Sequence, residues 1–532
     1  MSGGSAAVCG IAAPCRQFFA LRAFFGIIFP NMALNKQEAW GSRVGLILAM
    51  AGNAVGLGNF LRFPAQAIQN GGGAFIIPYL TCFLLMGLPL LYVEWAMGRY
   101  GGKSGQHSAP FMFNAMDKRF FWKYLGVFGI FTNLAIAAYY CYIESWALSW
   151  AYHSVAGHFM GKTQGEVTAF FNSYIGLGTV EPVVFWILCL LLNTWILSKG
   201  LKGGVELAAK IGMPLLLLFG VVLAVRGVTL TAGEQGAVYD GVLGLNYLWQ
   251  PTFSSIWDPV VWRNAAGQIF FTLSLGMGSI HCYASYVKSR DDIALNAMSA
   301  GWMNEFVEVV LGSAIIIPIA VGYLGVDKVI EMTKGGSGFG IGFMTLPFLF
   351  TQWGATLSAI SGFMWFGLLF FAGITSSLAM GTPCMGFLKD NFGWARGKAA
   401  RTFGFAVLLL GIPCVLSQEA FNEFDYWVGT ISLVVFAIAE VILFAWVFGM
   451  EKGWKEITDG ADIAVPVVFK HIIKYVTPVF LLVVFFGSLP EIWATLTKKI
   501  TPYVLFARIL LAGLFAGIAR LVYVAHRKRG AV

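Results

Sequence analysis

Twelve stretches of this chain are apolar over lengths that cross a lipid bilayer: residues 43–69, 73–99, 120–152, 182–198, 205–229, 259–286, 294–324, 357–388, 402–417, 427–449, 466–489 and 501–525. A helix rises about 1.5 Å per residue, so roughly 20 apolar residues cover the hydrocarbon core. The spacing therefore predicts an all-α polytopic membrane protein with twelve transmembrane helices. Charge content agrees. Only 11% of the 532 residues are charged, against roughly a quarter in soluble domains, and the mean hydropathy is +0.74. So little charge cannot solvate a surface this large.

The formal net charge of +9 does not point to nucleic acid, because Lys and Arg sit in short clusters between apolar runs. Arg99, Lys103, Lys118, Arg119 and Lys123 separate the second and third runs, and Lys199, Lys202 and Lys210 follow the fourth. Lys288 and Arg290 follow the sixth; Lys389, Arg396, Lys398 and Arg401 follow the eighth; the chain ends on His526-Arg527-Lys528-Arg529. The alternate connections are poorer in cations, as in the ninth-to-tenth connection with Glu419, Glu423 and Asp425. Short cytoplasmic loops collect Lys and Arg, so both termini are expected in the cytoplasm, with the chain in the inner (plasma) membrane. Before the first run, Phe18–Phe29 is too short to span and is interrupted by Arg22. Residues 1–31 are read as a leader, or Met32 as the start.

Eight cysteines are scattered with neither CxxC pairs nor Cys/His metal spacing, which argues against a disulfide scaffold or a zinc site. The six histidines, among them His153, His158 and His281, show no nucleophile–base pattern, so a membrane enzyme is disfavoured. No rings of charge suggest a channel.

Two runs break the apolar rule in matching places. The first holds Gly52-Asn53-Ala54-Val55-Gly56-Leu57-Gly58-Asn59 and the sixth holds Thr272-Leu273-Ser274-Leu275-Gly276-Met277-Gly278. Glycine weakens a helix by up to ~1 kcal/mol per residue, and unpaired polar groups are costly in hydrocarbon. Close packing of small residues would explain the glycines but not Asn53, Asn59, Thr272 and Ser274 at the same depth. Interrupted helices five runs apart point to two five-helix halves of inverted topology with the ligand at the breaks. The expected organisation is a leader or cytoplasmic segment (1–39), halves at 40–230 and 231–450, and two further helices with a basic tail (451–532). Unwinding frees carbonyls for a hard cation, while the N-terminus of the following half-helix suits a carboxylate. In the eighth run Thr375-Ser376-Ser377 adds hydroxyls, whose ordinary use is bonding back to the preceding turn.

The segments AGNAVGLGNFLRFP (51–64), NGGGAFIIPY (70–79), EWAMGRYGG (94–102), YYCYIESW (139–146), GQIFFTLSLG (267–276), FFAGITSS (370–377) and DYWVGT (425–430) closely resemble the neurotransmitter:sodium symporter family in its bacterial amino-acid branch. The likeness runs in order from about residue 40 to the C-terminus. It implies sodium-coupled symport of hydrophobic L-amino acids by alternating access, with no organic cofactor; a homodimer is left open. A proton-coupled permease of the same fold and a non-transporting sensor are the rival readings.

The resemblance implies two sodium sites. One comprises the Ala54 carbonyl, Asn59, Thr272, Asn304 and the substrate carboxylate. The other comprises carbonyls of Gly52, Val55 and Ala372 with the hydroxyls of Thr375 and Ser376. The carboxylate would meet the amides of Leu57 and Gly58 and the Tyr140 hydroxyl. Carbonyls at the breaks, Ala54 among them, would meet the amino group near Ser274. Ile136, Tyr140, Phe271, Ser274, Met277, Ser376 and Met380 would line the side-chain pocket. Relatives carry Phe and Ile at the two Met positions; unbranched Met adapts its shape, so larger side chains should fit. Arg62, Asp425 and the Phe271 lid match the outer gate, and Asp390, Ser285 and Tyr286 the inner one. The inner gate's arginine is Gln37 here, with Lys36 beside it. Glu308, where chloride-dependent relatives have a small hydroxyl residue, would supply the negative charge itself and is also a candidate proton carrier. Glu94, Glu144, Glu305 and Glu440 are read as groups that tie helices together.

Overall fold

The computed structural model describes residues 38–250, 253–334, 338–498 and 500–530. Residues 1–37, including Met32, Lys36 and Gln37, lie outside the described residues, and with them the leader and the inner-gate substitution.

Among the described residues ten helices are long and apolar enough to cross a membrane, and an eleventh span is the bent pair Arg43–Ala54 and Leu57–Gln69, whose halves meet at 46°. The remaining span is made of Pro259–Thr272 and Ser279–Ala284, two half-helices too short to span singly. The first and the sixth of the expected crossings are thus the interrupted ones.

Local chemistry sets the boundaries. Ser42 starts the first half-helix by accepting the Gly45 amide at 3.0 Å. Asp258 starts the sixth span by accepting from Val260 (2.9 Å), with Pro259 next, where its missing N–H costs nothing. Asp292 caps the seventh through Leu295 (2.8 Å). The third span (Phe120–Val155) and the eighth (Ala355–Phe392) lie along one another, and the first half-helix packs on the fifth (Leu201–Val228), seventh (Ile293–Leu324) and eighth. The breaks therefore sit inside a packed bundle, while residues such as Val221, Trp446 and Val483 face outward.

One boundary differs from the sequence expectation. Glu419, Glu423 and Asp425 are not in a loop: the tenth span runs Gln418–Thr458, after Ser417 alone. Its polar start is satisfied by other spans. Glu423 receives Arg508 Nε from the twelfth span and its own Trp427 Nε1, both at 2.7 Å. Asp425 receives the Tyr139 hydroxyl at 2.9 Å. Among the acids expected to tie helices, Glu144 joins Asn193 (2.9 Å) and Ser377 (2.6 Å) on the fourth and eighth spans, and Glu305 accepts from Tyr79 (3.2 Å).

Candidate functional site

The first break falls at Val55-Gly56, both in extended conformation, and Leu57 opens the second half-helix. In the sixth span Ser274, Gly276 and Gly278 take φ of 54°, 64° and 93°. Glycine adopts that left-handed region without penalty, but a serine there costs energy that the surroundings must offset. Ser274 does so by donating to the Asn53 carbonyl at 2.9 Å, which joins the two breaks.

Between the breaks lies a small cavity lined by Asn53, Ala54, Gly56, Gly58, Asn59, Ile136, Tyr140, Phe271, Thr272, Ser274, Met277, Ser376, Met380 and Leu433. Every residue expected to contact the substrate lines it except Leu57, whose amide donates to the Tyr140 hydroxyl at 3.1 Å. The lining thus combines a helix N-terminus and a hydroxyl with the apolar side chains of Ile136, Met277 and Met380. Asn53, Gly56 and Leu433 were not expected; Leu433 is one apolar residue in an apolar helix, and no sequence signal marks it.

The oxygen groups cluster in two places. Asn59 donates to Asn304 Oδ1 (2.7 Å) and to Glu308 (3.1 Å), and its own Oδ1 accepts the Gly56 amide (2.8 Å). The Thr272 hydroxyl and the Gln268 amide also donate to Glu308. Asn59, Thr272 and Asn304 are brought together around one fully buried carboxyl. In the second cluster Ser376 reaches the Gly52 carbonyl (3.2 Å) and the Ala372 carbonyl (3.1 Å). Thr375 bonds back to Phe371 (2.8 Å), and a Cβ on Gly52 would stand 2.8 Å from Thr375 Cβ. The back-bonding and the cross-span contact coexist.

Above the cavity a vestibule is lined by Leu57, Arg62, Tyr139, Phe271, Phe421 and Asp425, among others. Phe271, like Gly58 and Tyr140, borders both spaces, with the Arg62 guanidinium 4.6 Å from its ring centroid. Arg62 and Asp425 flank the vestibule without an ion pair; the partner of Asp425 is Tyr139.

On the other side, Asp390, Ser285 and Tyr286 are joined by a residue that the sequence reading missed. His107 donates its amide to Asp390 (2.9 Å), meets Ser285 Oγ through Nδ1 (2.7 Å) and stacks on Tyr286 at 3.9 Å. Ser285 spends its proton on the Cys282 carbonyl, which leaves Nδ1 as the donor. Burial, reinforced by the nearby Lys389 cation and opposed by Glu38, pushes the His107 imidazole down to about 4. Glu38 pairs with Arg396 and with Lys389 (3.4 Å). Burial alone would raise its carboxyl, but these two cations hold it below the usual range. Trp40 closes the same side by donating to the Tyr283 carbonyl at 3.1 Å.

The profile of the sodium:neurotransmitter symporter family matches residues 37–167 and 164–525. A sodium-dependent transporter of Methanocaldococcus jannaschii is 30% identical over 495 residues, covering 90% of this chain and 96% of that protein. Sodium-dependent nutrient amino acid transporter 1 of Drosophila melanogaster is 25% identical, covering 85% and 77%. The crystal structure of MhsT in complex with L-phenylalanine superposes with a TM-score of 0.74 at 28% identity, covering 85% of this chain and all of that one. The chain belongs to the sodium:neurotransmitter symporter family and is a sodium-dependent integral membrane transporter, not an enzyme.

Proposed function

We propose that this protein is a symporter of hydrophobic L-amino acids, aliphatic to aromatic, driven by sodium through alternating access and independent of chloride. The observation that carries the reading is the cavity at the crossing of the two breaks. Its lining has the chemistry that a zwitterion with an apolar side chain needs. The Leu57 amide and Tyr140 hydroxyl suit a carboxylate, the carbonyls at the breaks suit an ammonium, and Ile136, Phe271, Met277 and Met380 suit the side chain.

One sodium ion would take Ala54, Asn59, Thr272, Asn304 and the substrate carboxylate; a second would take Gly52, Val55, Ala372, Thr375 and Ser376. Because the substrate completes the first site, each ligand favours the other, which couples uptake to the gradient. Glu308 stands where it supplies the negative charge that chloride would otherwise bring. The halves at 40–230 and 231–450 act as inverted repeats about the site, with the termini in the cytoplasm and the chain in the plasma membrane. Support for aromatic substrates comes from the adaptable Met277 and Met380 and from the L-phenylalanine bound by the similar MhsT.

The test is binding of a radiolabelled amino-acid panel to the purified protein with and without sodium. Sodium-dependent binding of Leu, Met, Phe and Trp is expected. Binding indifferent to sodium overturns the coupling, and Leu and Ala far outranking every aromatic overturns the substrate range.

A further inference from the structure

Apart from the cavity, the described residues hold one cluster of a histidine and two carboxylates in the membrane interior: Glu94 on the second span, His281 on the second half of the sixth and Glu440 on the tenth. All three side chains are fully buried. His281 Nδ1 faces Glu94 Oε2 at 3.5 Å, and its Nε2 faces Glu440 Oε2 at 3.3 Å. Glu94 Oε1 accepts the amide of Gly276, inside the sixth-span break, at 2.8 Å. Glu94 Oε2, both ring nitrogens and both Glu440 oxygens are buried with no formed hydrogen bond, the two ring contacts included, and the two carboxyl groups also face each other. Phe113 and Phe436 flank the imidazole, with centroids 6.3 and 5.9 Å away.

Two carboxylates around a neutral imidazole would put two uncompensated charges in a dry interior, at a cost of several kcal/mol each. Charged groups on the packed elements do not supply the compensation. Arg99 and Lys103 of the second span bind Glu456, Arg43 of the first faces Asp292 and Asp462, and Asp390 of the eighth accepts the His107 amide. Glu144 of the third span is bonded to Asn193 and Ser377. The compensating cation must therefore come from solution, as a proton or a metal ion. One metal ion takes one ring nitrogen; one ligand atom of each residue lies within 4.8 Å of the others, so such an ion would draw both carboxylates to one nitrogen and take from the other the carboxyl group it now faces. A neutral imidazole, by contrast, has one N–H and one lone pair, which is what a carboxylate on one side and a carboxylic acid on the other require.

We propose that Glu94, His281 and Glu440 form a proton-binding site in which Glu440 is the carboxylic acid. Its O–H donates to His281 Nε2, and His281 Nδ1–H donates to the Glu94 carboxylate. Glu94 is the ionised member because it alone has a backbone donor, the Gly276 amide. The bound proton thereby holds the second half of the sixth span, which follows Met277, against the second and tenth spans. Moving the tenth span away requires the proton to leave for water, so this site adds a proton-binding equilibrium to the broken helix. It does not depend on which substrate the transporter carries.

Infrared spectra of the full-length protein in nanodiscs at neutral pH read protonated carboxyl groups directly by their C=O stretch. One such band is expected to be lost in Glu440→Gln and kept in Glu308→Gln. In His281→Phe it should shift to higher frequency, because the acid loses its acceptor; this variant decides the matter if Glu440→Gln does not assemble. A band unchanged by both Glu440→Gln and His281→Phe overturns the assignment. So does a stoichiometric transition metal in the wild-type protein that His281→Phe removes, which would make the cluster a metal site.

Discussion

Acidification should loosen the inner side of the transporter through His107. The ring is held neutral between Ser285 Oγ (2.7 Å) and the Tyr286 ring (3.9 Å), with Lys389 and Asp390 on the eighth span and Glu38 facing it. In the closed arrangement the imidazole is pushed down to about 4; once the contact opens into water it returns to about 6.5. A histidine depressed on closing stabilises the closed form above the open-state value, and the contribution is lost as pH falls from about 6.5 toward 4. At about pH 5 the open form binds nearly one proton and the closed form about a tenth of one, so closing weakens by about 2 kcal/mol, or roughly 30-fold, relative to pH 7.5. Glu38 does not blur the effect, since Arg396 and Lys389 keep it ionised there. Hydrogen exchange of residues 279–286 in nanodiscs, divided by the intrinsic rate at each pH, measures the opening. Asp390, which accepts the His107 amide, faces water or protein alike in both proteins, so the comparison with His107→Gln, which can still bond Ser285 but does not titrate, isolates the imidazole: on acidification the wild type should lose roughly that factor more protection than the variant. Equal pH dependence in the two proteins would refute the argument.

Three other outcomes follow from the cavity. Tyr140→Phe removes a hydroxyl placed to bond the substrate carboxylate, and bonds to charged groups contribute about 1.5–3 kcal/mol; equilibrium binding should weaken at least about tenfold, and an unchanged dissociation constant would count against the carboxylate position. Glu308→Ser leaves Asn59, Gln268 and Thr272 aimed at no negative charge, so sodium-dependent uptake should become chloride-dependent; wild-type uptake that doubles with chloride, or a serine variant indifferent to it, would reject the idea. Gly52→Ala puts a Cβ 2.8 Å from Thr375 Cβ, overpacking that costs about 1–3 kcal/mol. A sodium titration should show reduced sodium affinity together with a lower melting temperature; full sodium affinity would separate this contact from ion binding.

The breaks could be seen in the sequence because each is a local violation: glycines and amides stand where a lipid-facing helix wants Leu and Val. The twelve spans could be seen because lipid imposes one composition over about 20 residues at a time. What escaped depends on partners far away in the chain. Gln418–Tyr426 reads as a polar loop until Arg508, on the last span, and Tyr139, on the third, are known to meet Glu423 and Asp425. His107 follows Lys103-Ser104-Gly105-Gln106 in what reads as a solvated loop, and nothing in its neighbours tells of Ser285, Tyr286 or Asp390. Leu433 is a cavity residue by position alone.

Both breaks are also linked to groups that can change charge or coordination, and this bears on why a transporter is built around interrupted helices. A continuous helix satisfies its own backbone and is indifferent to its neighbours. Here the Asn53 carbonyl is met by Ser274, the Gly52 carbonyl by Ser376, the Leu57 amide by Tyr140 and the Gly276 amide by Glu94. These four freed backbone groups are each bonded by a side chain of another span or of the other break. An ion or carboxylate entering the cavity competes for these partners, so binding necessarily alters how the sixth, eighth and third spans are held to the first. Ligand binding and span movement share the same bonds, and that shared set is what permits a gradient in one to be converted into work by the other.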